Sequence, residues 1–266
     1  MSAANAANKP KTADSADAKP KATNSADTKK KSDRFWVEKR DVDFPLYNDD
    51  SFGTKGMIAL MVGLILIGVW AFAPMNFDVP RLVRSLGFFL MATVPFLIAS
   101  NGRFGLLFKR PRIYDFFLVI IGAVALFFVS AWMIILLMNV GAINPSNVRP
   151  NPIVNEKHDT VFAIAFIFQI FGEELLKIDA FIIVLTWIYR RYNRRKLGII
   201  LGIAVAALYF GILHYTAYGN LAQVIFVQGT AGALMLYMYL RTKNIMVPYL
   251  AHLLMDVIAM VGSSPR

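Results

Sequence analysis

The sequence of 266 residues contains no cysteine, which excludes a disulfide framework, a thiol nucleophile and thiolate ligands for a metal. Histidine is also scarce, with His158, His214 and His252 only. We expect no secretory signal, because no apolar core occurs near the start. Charged residues make up 17% of the chain against 57% hydrophobic ones, and the mean hydropathy is +0.52. These values exclude an ordinary soluble domain of this size.

Several apolar segments are long enough to cross a bilayer as helices, which takes about 20 residues each. The sequence therefore predicts an all-α polytopic membrane protein, a helical bundle of about seven transmembrane helices with a range of six to eight. Its first expected partner is the lipid bilayer. The predicted segments are 57–75, 82–101, 115–139, 161–189, 197–215, 221–240 and 247–262.

Composition divides the chain into three regions. Residues 1–34 are rich in Ala, Lys, Asp, Ser and Asn, which predicts a disordered tail that could bind a protein partner. Residues 35–56 add aromatic side chains to mixed charge, which is typical of an interfacial segment before the first span. A small partner-binding element is the alternative for these residues. Residues 57–262 are predicted to form the transmembrane helical domain.

The net charge of +11 reflects membrane orientation, so nucleic acid is not an expected partner. Basic residues are frequent in the loops on one predicted side and sparse on the other. This asymmetry predicts a cytoplasmic amino terminus, and the lysine-rich tail fits a bacterial cytoplasmic membrane. The loops predicted inside carry Arg103, Lys109, Arg110, Arg112, Arg190, Arg191, Arg194, Arg195, Lys196, Arg241 and Lys243, and those predicted outside carry Arg81, Arg149 and Lys157.

The stretch FGEELLKIDAF, residues 171–181, places four ionisable side chains within an apolar segment: Glu173, Glu174, Lys177 and Asp179. Together they oppose membrane insertion by on the order of 10 kcal/mol. Glu173 and Lys177 fall on one helix face, and Glu174 is also one turn from Lys177, so an internal ion pair can recover part of this cost. The remaining carboxylate must find another partner or stay protonated.

Two later apolar segments supply candidate partners. LYFGILHY places His214 one turn after Phe210, and AHLLMD places His252 and Asp256 one turn apart on a single face. Carboxylates can act as general bases, and histidines can orient water, donate to an oxyanion or ligate a metal. Two glutamates, two histidines and an aspartate within apolar helices are the parts that a water-activating hydrolase needs.

Each of these features also has a purely structural explanation. An intramembrane histidine can be a hydrogen-bonded packing residue, and a glutamate pair can be an ion-pair lock or a proton relay. His252 and Asp256 can simply satisfy each other. His158 falls in a predicted loop, where we expect it to be solvated.

The depth of the two intramembrane histidines is a constraint on any shared site. At 1.5 Å per residue, His214 lies about 26 Å from the start of its segment near Leu197, whereas His252 lies about 8 Å from the turn near Val247. Straight helices would not bring them together. A shared site therefore requires strong tilt, a dipping turn at 241–246 or a deep water-filled cavity.

The order of the motifs resembles a known family. A double Glu, then F-x-x-x-H, then H-x-x-x-[N/D], in this order on three of the four apolar segments at 161–262, resembles the CPBP intramembrane protease family, which includes the type II CAAX prenyl endopeptidases. The stretch GTAGALMLYMYLRTKNIMVPYLAH is similar to the Gly-rich helix, Arg-Thr turn and Pro that precede the last histidine there. The matching positions are Glu173, Glu174, Phe210, His214, His252 and Asp256.

The resemblance implies an intramembrane endopeptidase that acts on a peptide or membrane-protein substrate, with its active-site helices in the C-terminal half. Glu173 or Glu174, assisted by His214, would activate water, while His252 and Asp256 would help to stabilise the oxyanion. A Glu and two His could also ligate zinc, and the sequence does not decide this point. Bacterial members are associated with bacteriocin maturation and self-immunity, which are the roles implied here.

One position departs from the family pattern. E-E-x-x-x-R would place an arginine at 178, where the chain has Ile178, and Lys177 lies on a face rotated by about 100°. This departure favours, as the alternative, a catalytically inactive scaffold or immunity protein that keeps the polar cluster for packing. A proton- or ion-coupled transporter would also explain buried carboxylates, but inverted repeats are not visible in the sequence.

Overall fold

The computed structural model describes residues 34–73 and 79–263, which form seven long helices and no strand. The predicted all-α fold is confirmed, and each predicted segment is a helix. The chain divides between Arg34 and Phe35, and these helices all belong to the second unit. Residues 1–33 of the predicted tail lie outside the described part. The bounds are α1 Thr54–Phe72, α2 Arg81–Ala99, α3 Ile113–Asn139, α4 Thr160–Tyr192, α5 Arg195–Leu213, α6 Leu221–Thr242 and α7 Met246–Ser263.

Five helices of the described chain, α1, α2, α3, α5 and α6, are long and apolar enough to cross a membrane. Their outer faces expose large apolar side chains such as Ile65 and Phe128, as lipid contact requires. Helix α4 has 33 residues and a length of about 50 Å, but carries four ionisable side chains in its middle. Helix α7 is apolar and shorter. The protein is an integral membrane protein with a helical bundle.

Helix α4 lies at the centre of the bundle, in contact with α1, α2, α5, α6 and α7. The Asp159 carboxylate caps it by accepting a hydrogen bond from the Phe162 N–H at 2.9 Å, and Asn193 ends it in a left-handed conformation. Every residue from Gly172 to Ile182 is buried. This central position keeps the four ionisable side chains away from lipid.

The turn between α6 and α7 is buried within the protein. The Ile245 N–H donates to the Leu107 carbonyl at 3.0 Å, and the Asn244 side chain donates to the Lys109 carbonyl at 3.1 Å. The loop between α2 and α3 therefore covers this turn. Because the turn is recessed, His252 can lie level with the far end of α5 although it is less than two turns into α7. A recessed turn at 241–246 is one of the three arrangements that could bring the two histidines to the same depth.

Residues 35–52 pack over the same end of the bundle. Phe44, Tyr47 and Phe52 are buried, and the rings of Phe44 and Phe181 contact each other with centroids 4.8 Å apart. The aromatic side chains of this segment thus extend the apolar core formed by α4 and α5. We refer to residues 35–52 as the N-terminal segment.

An ion-pair network fixes the N-terminal segment to α5 and to the α6–α7 turn. The Glu38 carboxylate accepts hydrogen bonds from Arg195 at 2.7 and 2.8 Å and from Lys243 at 2.8 Å, and Asp43 accepts one from Arg195 at 2.7 Å. Burial raises the pKa of Glu38, but the hydrogen bonds from Arg195 and the charge of Lys243 outweigh it and lower that pKa to about 2. Burial lowers the pKa of Lys243 to about 8.

We expect Glu38→Gln to lower stability at neutral pH by about 2 kcal/mol, because two cations lose their shared carboxylate. The native pKa of Glu38 lies below its ordinary value of 4.5, so its stabilising contribution is full above pH 4.5 and is lost as the pH falls towards about 2. Thermal unfolding in detergent, measured from neutral to acidic pH, tests this expectation. The melting temperature of the variant should fall less on acidification than that of the wild type.

The matched control is Asp50→Asn, the same chemical change at an exposed position of the N-terminal segment. We expect this control to change stability by no more than about 0.5 kcal/mol. Equal acid sensitivity of Glu38→Gln and the wild type would contradict the assignment of the network.

Candidate active site

Glu174 and Lys177 form a buried ion pair on α4, with Lys177 Nζ 2.7 Å from Glu174 Oε1. The same ammonium lies 3.9 Å from the centroid of the Phe210 ring and 2.8 Å from the Met235 sulfur. Ile178, at the position of the family arginine, is buried in the apolar core. Lys177 therefore supplies a cation directly to the double glutamate from one position earlier.

His252 on α7 lies between the two glutamates of α4. Its Nδ1 is 2.8 Å from Glu174 Oε1, and its Nε2 is 3.9 Å from Glu173 Oε2 and 3.7 Å from Asp256 Oδ2. Because an ionised carboxylate only accepts hydrogen bonds, the contact with Glu174 places a proton on Nδ1 and fixes the ring. The Nε2 atom is left facing Glu173 and Asp256.

The surroundings of Glu173 differ from those of Glu174. Glu173 Oε1 accepts a hydrogen bond from Gln169 Nε2 at 3.2 Å, and Gln169 Oε1 accepts one from the Ser85 hydroxyl of α2 at 3.4 Å. Glu173 lines a large cavity, whereas Glu174 does not. The two adjacent carboxylates are thus placed differently, one towards ion-pair partners and one towards open space.

His214 follows the last residue of α5 and reaches the same cavity. Its Nδ1 is 2.8 Å from the Phe210 carbonyl oxygen, which only accepts, so Nδ1 carries the proton and the neutral ring has its lone pair on Nε2. The Phe210 ring contacts both histidines, with centroids 4.5 Å from His214 and 6.3 Å from His252. The residues predicted from three separate motifs are therefore brought together.

Helices α5 and α6 approach each other closely beside His214. A Cβ at Gly211 would collide with the Val224 carbonyl oxygen, so this contact requires glycine. Val224 begins a π-helical segment, Val224–Gln228, within α6. Such segments are frequent at functional sites. The close contact holds the end of α5 in place against α6.

Asp256 is held by the loop that precedes α4. The Asn151 Nδ2 donates to Asp256 Oδ1 at 3.1 Å, which leaves Oδ2 for His252. Loop 141–159 is rich in Pro and Asn, and no pattern in the sequence singled out Asn151. Gln169 was also missed, although it lies one turn before Glu173, the spacing that marked the other pairs.

A cavity of about 1160 Å³ joins these side chains. Small-molecule sites have volumes of about 300 to 1,000 Å³, so this cavity can take a short peptide segment. It reaches the surface at the end of the bundle that carries loop 141–159. Its lining includes Glu173, Gln169, Phe210, His214, His252 and Asp256, with Arg81, Arg84 and Arg149 nearer the surface.

Two other ionisable residues considered above do not line the cavity. Asp179 is buried, and its Oδ1 has no hydrogen-bond partner in the part of the chain that the structure describes. His158 is exposed in the loop before α4, with Nε2 2.9 Å from the Ile153 carbonyl oxygen. Neither residue takes part in the arrangement around His252.

Both histidine Nδ1 atoms of the site and the Glu174 carboxylate already have partners within the protein. Within residues 34–73 and 79–263, no group of three or more His, Asp or Glu side chains is placed to hold a metal ion. The Lys177 ammonium beside Glu174 would also repel a cation. The zinc ligation that the sequence left open does not fit this arrangement, and no step proposed below uses a metal.

Residues 159–258 match the family model of the type II CAAX prenyl endopeptidase Rce1-like proteins. The matched region runs from the N-cap of α4 into α7 and contains Glu173, Glu174, His214, His252 and Asp256. It is less than half of the chain, and α1 to α3 lie outside it. Comparison with curated proteins and with solved structures gives no match. The resemblance predicted from the motifs is confirmed for this region.

Proposed function

We propose that the protein is an intramembrane endopeptidase that hydrolyses a peptide bond with water activated by Glu173. The observation that carries this proposal is the division between the two glutamates: Glu173 lines the cavity, while Glu174 is bound to Lys177 and His252. A carboxylate that faces a cavity next to histidines is suited to general-base catalysis. The family match supports peptide hydrolysis as the class of reaction.

In the proposed mechanism a water molecule between Glu173 and His214 attacks the carbonyl carbon of the scissile bond. The water donates one hydrogen bond to His214 Nε2 and gives its other proton to Glu173. His252, in its doubly protonated form, donates from Nε2 to the developing oxyanion. Glu173 then transfers the proton to the leaving nitrogen as the carbon–nitrogen bond breaks.

Three further side chains position this machinery without meeting the reacting atoms. Glu174 fixes the His252 ring through Nδ1, and Lys177 holds Glu174. Asp256 lies on the other side of the ring, near Nε2. The buried ion pair therefore gives His252 one orientation, which an oxyanion donor needs in order to act without reorganisation.

We also propose the membrane orientation that the loops predict. The N-terminal segment, the loop between α2 and α3 and the α6–α7 turn occupy the end of the bundle rich in basic residues, which the positive-inside rule assigns to the cytoplasm. The cavity opens at the other end, so substrate would enter from outside. A bacterial cytoplasmic membrane, a role in peptide maturation or bacteriocin self-immunity, and a protein partner for tail 1–34 stay predictions from the sequence.

The second candidate function is a catalytically inactive scaffold or immunity protein. The observation that favours it is that Glu174, Lys177 and His252 satisfy one another, as a packing cluster would. The two functions make different demands on His214, which forms no ion pair in the described chain and lines the cavity. A scaffold can lose this imidazole, whereas the proposed hydrolysis cannot.

We expect His214→Ala to lower peptide cleavage about a hundredfold or more, because the attacking water loses its hydrogen-bond acceptor. Protein abundance and melting temperature should change little. The measurement is cleavage of fluorogenic apolar peptides by purified protein in liposomes. His158→Ala is the matched control, since it makes the same change at an exposed position that does not line the cavity, and it should cleave at the wild-type rate.

The scaffold makes the opposite prediction. If the wild type cleaves no peptide and His214→Ala supports the cellular function as well as the wild type does, endopeptidase activity is the wrong proposal. Loss of the cellular function on changing the N-terminal segment alone would then favour the scaffold.

A further inference from the structure

We propose that Arg149, at the rim of the cavity, binds a carboxylate of the substrate, so that the protein selects acidic peptides. This inference deepens the proposed function and rests on it, because it assigns a substrate class to the same cavity. It concerns a residue outside the family-matched region 159–258.

The main chain of Arg149 is fixed by a buried glutamine of α6. The Gln223 side chain donates from Nε2 to the Arg149 carbonyl at 2.9 Å and accepts from the Arg149 N–H at 3.4 Å, and only 1% of Gln223 is exposed. Two residues later, Asn151 donates to Asp256 of α7. The segment 149–151 is thus attached to α6 and to α7, so Arg149 does not belong to a freely moving loop tip.

The side chain of Arg149 lies against Gly219, which follows Tyr218 of the cavity lining. Gly219 has φ +65° in the turn before α6, and a Cβ at this position would lie 3.2 Å from the guanidinium carbon of Arg149. A larger residue would be strained by this backbone conformation and would press on the guanidinium. The turn therefore leaves room for Arg149 beside the cavity that it lines.

Within the described residues, the guanidinium of Arg149 has no acidic partner, and the same holds for Arg84 across the rim. Arg81, by contrast, forms an ion pair with Glu156 and stacks on the Phe162 ring at 4.2 Å. One rim arginine is thus paired within the fold, while two retain their binding capacity. An arginine presents several N–H donors in a planar fork that matches a carboxylate.

Charge divides the cavity along its depth. Its floor carries the carboxylates Glu173 and Asp256, and its rim carries the arginines together with Glu156, which is paired with Arg81. A substrate carboxylate is repelled by the floor and attracted by the rim, which would orient a peptide with its acidic group outward and its apolar part towards the floor. The positive-inside rule does not account for Arg149, because the basic residues that follow this rule cluster at the opposite end of the bundle.

The test is binding of labelled apolar peptides to the Glu173→Gln protein in detergent, measured by fluorescence anisotropy. Four matched peptides would be used, with Glu or Gln near the middle and with a free or an amidated carboxyl terminus. We expect at least one of the two carboxylates to tighten binding about tenfold, as one charge-assisted contact does. The pair of peptides that shows the difference identifies whether a side-chain or a terminal carboxylate is bound.

Variants of Arg149 test whether this residue causes the preference for acidic peptides. Arg149→Gln should abolish the difference between acidic and amide peptides, and Arg149→Lys should retain part of it, because the charge remains without the fork. Lys157→Gln removes one positive charge from the same loop at an exposed position that does not line the cavity, and it should keep the full preference.

Equal affinity for all four peptides, binding of none of them, or a preference that survives in Arg149→Gln would overturn the inference. Binding of an anionic lipid by the wild type but not by Arg149→Gln, with peptide binding unchanged, would make Arg149 a lipid contact instead. Measuring cleavage by the wild type beside peptide binding distinguishes failure of this inference from failure of the proposed function. Cleavage without acid preference removes only the inference, while acid preference in binding without any cleavage removes only the endopeptidase.

Discussion

Replacing Glu173 by Gln is expected to lower peptide cleavage on the order of a thousandfold or more, while the protein stays folded and still binds peptide. The amide has the size of the carboxylate and can still accept a hydrogen bond from Gln169, but it cannot take a proton from water. Glu173 has no ion pair with Lys or Arg among the described residues, so its replacement leaves no buried cation without a partner. The measurements are the rate of cleavage in liposomes and the melting temperature.

Two comparison variants sharpen this result. Asp50→Asn makes the carboxylate-to-amide change at an exposed position of the N-terminal segment and should cleave at the wild-type rate. Glu174→Gln should lower both cleavage and melting temperature, because it weakens the partner of Lys177 and the orientation of His252. Cleavage by Glu173→Gln within about tenfold of the wild-type rate would be incompatible with its role as the base.

Lys177→Met is expected to have the largest effect on stability, a loss of about 3 to 5 kcal/mol. Lys177 is fully buried, and its removal leaves Glu174 as a buried carboxylate without its nearest cation. The melting temperature in detergent should fall sharply. Cleavage should also fall, because Glu174 no longer holds His252 in one orientation.

The control for this prediction is Lys196→Met, the same substitution at an exposed position, which we expect to change stability by no more than about 0.5 kcal/mol. The double variant Lys177→Met with Glu174→Gln removes both charges and should recover much of the loss. Wild-type stability of Lys177→Met would show that the ion pair does not hold the centre of the bundle.

The helices could be predicted because a chain in lipid must form all of its backbone hydrogen bonds within each spanning segment. The predicted segment 161–189 is the helix Thr160–Tyr192, and the predicted segment 57–75 is the helix Thr54–Phe72. The predicted and observed bounds differ slightly because the ends of a helix depend on local caps rather than on hydropathy. For α4 the caps are the Asp159 side chain and the left-handed Asn193.

The convergence of His214 and His252 could be predicted from motif order but not from helix geometry. Counting residues along straight helices placed the two side chains at different depths. The buried α6–α7 turn removes this difference, and it is covered by the N-terminal segment through the ion pair of Glu38 with Lys243. Contacts between residues about two hundred positions apart leave no periodic signal in a single sequence.

The sequence also did not distinguish the two glutamates. Neighbouring positions on a helix point in directions that differ by about 100°, so they meet different partners. Which of them faces the cavity depends on the placement of α7 and on the Gln169 side chain. The departure at Ile178 had a simpler explanation, since Lys177 reaches Glu174 directly and Ile178 joins the apolar core.

The most direct test of the central claim, that Glu173 activates water for peptide hydrolysis, is a single turnover in water enriched in heavy oxygen. Purified wild-type protein in liposomes would be present in excess over the peptide, so that each enzyme molecule reacts at most once. The masses of the fragments would be measured by mass spectrometry. The account predicts one solvent oxygen in the new carboxyl group and no fragments from Glu173→Gln. Fragments from Glu173→Gln at the wild-type rate, an unlabelled carboxyl group, or no cleavage by the wild type would contradict it.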